Sequence, residues 1–195
     1  MKKILTILAL ASAALFCGGC GSGAPKAEAE GDNPVIETIM ARRSIRKYTG
    51  DAVPREVLLK LAEYGVNAPN AMNHQAWELR IIDDISFFPE DAREALRNAP
   101  ALIAVACPDD ESGMSLINVG LLCENICLAA QSMGLGTVIL GGAVWMLPQS
   151  EEGRECISRL GFSDGYELRI FIGLGYPAET PAARPRDLGK IRVVE

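Results

Sequence analysis

Residues 117–133 limit how this chain can fold more than any other stretch. Leu121, Leu122, Ile126, Ala129 and Ala130 fall on one helical face. Cys and Ala fill much of the rest, leaving Asn118, Glu124, Asn125 and Gln131 as the notable polar positions. A helix apolar nearly all round has to be covered on several sides, so it is either the centre of a domain or part of a subunit interface. The sequence leaves both open. The chain has 195 residues and 49% hydrophobic content, enough for one ordinary core around such a helix.

Helical and strand patterns alternate about this centre. Pro34 suits a first helical position, with Asn33 able to cap it; Val35, Ile36, Ile39 and Met40 follow at helical spacing, and the helix should end near Arg43. A second helix begins at Pro54, with Val57, Leu58, Leu61 and Ala62 on one face and Gly65 as its stop. Residues 77–82 alternate as a strand, 89–98 suit a short helix, and 102–106 form a buried strand. Thr137 to Leu140 is a further strand, and Gly141 and Gly142 after it allow backbone to approach a ligand closely. Ser150 is placed to cap a helix reaching Leu160; residues 168–173 are the last strand, before a proline-rich basic tail. The order predicts an α+β domain of three layers, a central mixed or antiparallel sheet flanked by helices.

The start of the chain is a targeting segment. Lys2 and Lys3 precede an apolar run, residues 4–16, too short for a membrane span, and small residues lead to Cys20. Residues 1–19 resemble a bacterial lipoprotein signal, with Cys20 the lipidated first residue of the mature protein; an ordinary secretory signal is the alternative. Residues 20–33 have the composition of a flexible tether, and 34–195 form the domain. The expectation is an exported protein, anchored to a membrane through lipid alone on the periplasmic or cell-surface side. A formal net charge of −6 argues against nucleic-acid binding by bulk electrostatics. With one His in the chain, Cys107, Cys123, Cys127 and Cys156 read as buried thiols and not as a metal site.

Against the acidic background, Arg42, Arg43, Ser44, Arg46 and Lys47 stand out. Guanidinium forks and a hydroxyl match a phosphate in charge and geometry. The plainer alternative is a basic helix end that stays in water. Residues 67–77 hold Asn67, Asn70, Asn73, Gln75, the single His74 and Trp77. Side-chain amides both donate and accept, so they can read the edge of a heteroaromatic ring. Asn and Pro also favour turns, so a linker is the competing reading.

Taken together these stretches resemble the FMN-dependent nitroreductase family. Arg42-Arg-Ser-Ile-Arg46 is similar to its phosphate motif, and residues 68–77 to its flavin-edge loop. Residues 118–130, Gly134-Leu-Gly-Thr137 and Leu140-Gly-Gly142 resemble its central helix and following strand. Gly173-Leu-Gly-Tyr-Pro177 and Arg184-Pro-Arg186 resemble its closing segment. Ala76 replaces a usual Pro, and the segments after Ala106 and Ala143 are short where many members carry helices over the substrate pocket.

The resemblance implies FMN as cofactor, with Arg42, Arg43, Ser44 and Arg46 gripping its phosphate, joined by Arg184 and Arg186. Asn70, Asn73 and Gln75 would meet the ribityl chain or the pyrimidine edge. Backbone at Leu140, Gly141 and Gly142 would face the central ring. It implies a homodimer with both subunits contributing to each site. It also implies two-electron transfer from NAD(P)H to a small-molecule acceptor such as a nitroaromatic or quinone, with no catalytic side chain required. For an exported enzyme a quinol is an alternative donor. A non-catalytic FMN-binding lipoprotein, a flavin carrier or scavenger, is the rival function, and the same fold without FMN is a weaker third.

Overall fold

The computed structural model describes residues 33–194. The signal, Cys20 and the tether up to residue 32 lie outside the described residues.

Among the described residues six α-helices and four strands follow one another as α1 (Pro34–Ala41), α2 (Arg55–Val66), β1 (Glu78–Ile82), α3 (Glu90–Arg93), β2 (Ala101–Pro108), α4 (Met114–Ser132), β3 (Gly136–Leu140), α5 (Gly141–Met146), α6 (Glu151–Arg159) and β4 (Tyr166–Gly175). The strands form one sheet in the order β1-β2-β4-β3, antiparallel throughout. A single parallel bridge joins Ser44 to Thr137 at its edge.

Period-two alternation splits the core in two. Ala101, Ile103, Val105 and Cys107 of β2, with Ile172 and Leu174 of β4, pack under α2 and α4. Leu102, Ala104 and Phe171 point the other way, against Phe88, Leu96, Ala143, Leu147, Cys156 and Leu160. The sheet is therefore buried on both faces, which gives the three expected layers.

The central helix packs into the core on one side and leaves apolar side chains exposed on the other. Leu122, Ile126 and Ala130 of α4 are fully buried, while Leu116, Ile117 and Leu121 are 52%, 56% and 41% exposed. It begins at Met114, earlier than its apolar run. Asp110 sets that start by accepting from Ser112 Oγ, Met114 N and Ser115 N at 2.6, 3.1 and 2.8 Å.

Three local expectations need correction, and one short helix was not foreseen. The first helix stops at Ala41, before the arginines, so the basic cluster lies in extended chain. Gly65 does not stop α2, which continues to Val66; it is there for close packing, since a Cβ at this position would sit 2.6 Å from Ile126 Cγ1. The helix expected over 89–98 ends at Arg93, and Arg97 and Asn98 take left-handed φ values of 60° and 48°. Gly141 and Gly142 open a short helix, α5, because Ala143 and Leu147 find burial against β4 and its neighbours. The expected cap is present: Gly153 N donates to Ser150 Oγ at 3.0 Å.

Candidate functional site

Past α1 the chain runs extended across the ends of β3 and β4. Ile45 N donates to Thr137 O at 2.8 Å, and Thr49 N to Tyr176 O at 3.0 Å. Ile45 is buried over Gly136, where any Cβ would come within 2.8 Å of its side chain. The tail pairs back: Ala178 N donates to Lys47 O at 2.9 Å, and Glu179 accepts from the amides of Arg46 and Lys47. Tyr48 OH donates to Ile45 O at 2.8 Å beneath this crossing. Burial raises the Tyr48 phenol well above its usual range, and Glu179 adds to the effect, so it stays protonated.

This crossing brings the two arginine sets together. Arg42, Arg43, Ser44 and Arg46 share one hollow of about 160 Å³ with Arg184 and Arg186. Their guanidinium groups are directed mostly at backbone. Arg43 Nη1 donates to Met40 O and Arg42 O, both at 2.7 Å; Arg46 Nη1 to Ser44 O at 3.3 Å; Arg186 Nη1 to Arg184 O at 3.2 Å. Among the described residues the one carboxylate contact is Arg42 Nε to Glu124 at 4.0 Å. Several cations crowded together with so little carboxylate contact at their guanidinium groups form a site for an anion with several acceptor oxygens.

Arg46 also lines a second hollow, of about 440 Å³, so the two adjoin. Leu140, Gly141 and Gly142 form one wall of it, and Asp91, Glu94 and Arg97 another. Neither glycine has positive φ, and a Cβ on either would meet nothing within 4 Å. Neither backbone conformation nor packing within the protomer calls for glycine there. Asp91, Glu94 and Arg97 were not singled out from sequence, because charges on a short surface helix are ordinary. The signal was Asn98-Ala-Pro100: Asn tolerates the left-handed region that turns the exposed Arg97 toward this hollow. Arg97 N closes that turn on Glu94 O at 2.9 Å, and Asn98 N on Arg93 O at 2.9 Å.

The amide loop lies elsewhere. Asn70, Asn73 and Gln75 line neither hollow. Ala71 N donates to Asn118 Oδ1 at 3.3 Å, tying the loop to the first turns of α4, and Gln75 N donates to Asn70 Oδ1 at 2.9 Å. Met72, Asn73 and Gln75 all have positive φ, and the side-chain amides of Asn73 and Gln75 make no hydrogen bond among the described residues. Backbone strain held by surrounding structure marks functional loops. His74 is exposed, while Trp77 is buried at the start of β1, as its position predicted. Cys107, Cys123, Cys127 and Cys156 are buried and unpaired. Burial pushes Cys123 up to about 12, aided by Cys127, which leaves no thiolate at neutral pH.

With this geometry in view, comparison with known proteins is specific. The pattern of the Nitroreductase family matches residues 39–87 and 87–176. The chain is 34% identical over 160 residues to a "Putative NADH dehydrogenase/NAD(P)H nitroreductase" of Methanothermobacter thermautotrophicus, covering 77% of this chain and 81% of that one. It is 29% identical over 174 residues to an NADPH-flavin oxidoreductase of Vibrio harveyi, covering 79% and 70%. A crystal structure of a nitroreductase with bound FMN from Desulfitobacterium hafniense superposes with a TM-score of 0.74 at 26% identity, over 84% of this chain and 99% of that one. The matched span runs from the last residues of α1 to just past the end of β4, taking in Arg42, Arg43, Ser44 and Arg46 but stopping short of Arg184 and Arg186, and the chain belongs to the nitroreductase family.

Proposed function

We propose that this chain is an FMN-dependent oxidoreductase that passes two electrons from NAD(P)H to a small acceptor such as a nitroaromatic or a quinone. One observation carries the reading: Arg42, Arg43 and Ser44 meet Arg184 and Arg186 in a single hollow that joins, through Arg46, a second hollow walled by Gly141 and Gly142. The residues fit the cofactor. The first hollow has cations and a hydroxyl for a phosphate, and the second has glycines whose missing side chains leave room for a flat ring. Bound FMN supplies the redox chemistry, accepting and releasing a hydride equivalent. The protein's part is to hold and orient. Arg42, Arg43, Ser44, Arg184 and Arg186 fix the phosphate end, and Arg46 stands where phosphate and ring sites adjoin.

The working unit is a homodimer. Ile39 and Met40 of α1 are 46% and 70% exposed. A helix of 8 residues is not stable alone in water. With the exposed side of α4 it offers a surface for a second copy. That copy would bring its own Asn70, Asn73 and Gln75 to the ring, which accounts for the positive φ and the side-chain amides without hydrogen bonds among the described residues at Asn73 and Gln75. The signal-like start supports export and anchoring through Cys20, with a quinol as alternative donor in that compartment.

Absorbance tests the reading. The purified chain mixed with FMN should show a bound-flavin spectrum that bleaches anaerobically with NADH, NADPH or a quinol and returns on adding a nitroaromatic or quinone. Arg42→Ala with Arg186→Ala should abolish binding of FMN while leaving riboflavin, which has no phosphate, equally weak in both proteins. A spectrum with no bound flavin, or FMN binding indifferent to both substitutions, would overturn it.

A further inference from the structure

Helix α5 buries Ala143, and Leu147 just past its end is buried beside it, at 2% and 3% exposure. Its other face begins with Gly141 and Gly142 and continues one turn later with Trp145 and Met146, since residues three and four apart share a helix face. Trp145 is 79% exposed and Met146 is 61% exposed. Met146 itself lines the hollow walled by the glycines. The apolar surface is thus continuous with the place proposed for the flavin ring.

We propose that Trp145 and Met146 form the platform for the reacting small molecule and select an uncharged, planar aromatic one, of which a quinone is the type. The inference rests on the cofactor reading above. An indole face and a thioether give dispersion and sulfur–aromatic contact without asking the partner for hydrogen bonds. The hollow's charges favour a neutral molecule: Arg46 and Arg97 formally cancel Asp91 and Glu94, and no ion pair among these four forms in the described residues. An anionic acceptor would meet two carboxylates, and a cationic one two guanidinium groups. The competing occupant of the platform is a second copy of the chain.

Menadione serves as the neutral probe and the FMN-loaded full chain as the protein. Trp145→Ala and Met146→Ala should each raise the KM for menadione about tenfold, moving kcat less, while Trp145→Phe keeps most of the affinity. The FMN-to-protein ratio should not change in Trp145→Ala, whose side chain lies outside the hollow. Without FMN, menadione should quench tryptophan emission saturably, and Trp145→Phe, which leaves only the buried Trp77, should remove that quenching. The proposal fails if KM is unmoved in both alanine variants, or if quenching is linear and purely collisional. It also fails if Trp145 emission shifts to the blue with rising protein concentration while menadione leaves it unaltered, which would assign the platform to a second copy. A chain that takes up no FMN defeats the cofactor reading instead, and the emission titration still decides the platform.

Discussion

The carboxylate of Glu179 accepts a hydrogen bond from the backbone N–H of Arg46, 133 positions earlier in the chain. The same oxygen accepts from Lys47 N at 3.2 Å. This acidic residue pins the tail to the basic segment without engaging a guanidinium. Glu179→Ala should therefore loosen both arginine sets. We expect FMN affinity to fall about fivefold to tenfold and stability by about 1 kcal/mol, with Glu179→Gln between, because its amide oxygen keeps one acceptor. Flavin titration and urea unfolding measure the two effects separately.

Gly142 gives the opposite split. A methyl group there meets no atom of the protomer within 4 Å and φ is ordinary, so Gly142→Ala should leave the melting temperature unchanged or slightly higher, alanine being the better helix former by about 0.5–1 kcal/mol. FMN affinity should drop. A parallel fall in melting temperature would make the glycine a packing residue.

Two other glycines are structural, and to different degrees. At Gly153 a Cβ would lie 1.9 Å from the backbone oxygen of Leu147, which cannot step aside. At Gly65 it meets Cγ1 and Cδ1 of the Ile126 side chain, which can partly re-pack. Gly65→Ala should cost about 1–3 kcal/mol, Gly153→Ala more, and Ile126→Ala, which removes both clashing atoms, should relieve the clash of only the first. Thermal unfolding of the three single variants and the double variant checks the ranking.

Asp110 makes stability depend on pH. Hydrogen bonds from Ser112, then Ser115, and from Met114 N hold its carboxyl far below the usual carboxylate range. A depressed folded pKa adds stability above the unfolded value and loses it as pH falls through the folded one. Asp110→Asn should therefore be less stable than the parent at pH 6, and the gap should narrow steadily below about pH 4. Denaturation midpoints across that range provide the comparison; a gap independent of pH would remove the carboxylate from the account.

The apolar pattern made most of this architecture legible. The strands of β2 and β4 are continuous apolar runs because both faces are covered, and α4 is apolar nearly all round because one side packs and the other remains exposed. The arginine cluster was legible because it contrasts with an acidic chain. Its crossing over β3 was not, since that depends on Ile45 fitting against Gly136. Helix α5 was hidden because Gly-Gly locally favours a turn, and burial of Ala143 and Leu147 overrules that preference. Arg97 was hidden because only the left-handed turn after α3 directs it toward the hollow walled by the glycines.

The phosphate grip we propose is split between residues 42–46 and residues 184–186, almost the whole domain apart in sequence. A growing chain thus has no cofactor site until its final segment has emerged and crossed the first. Uptake of flavin becomes a late event in the life of the polypeptide, and yellow colour in a preparation would count finished molecules only. Chains clipped within the tail would remain colourless even with all four strands in place.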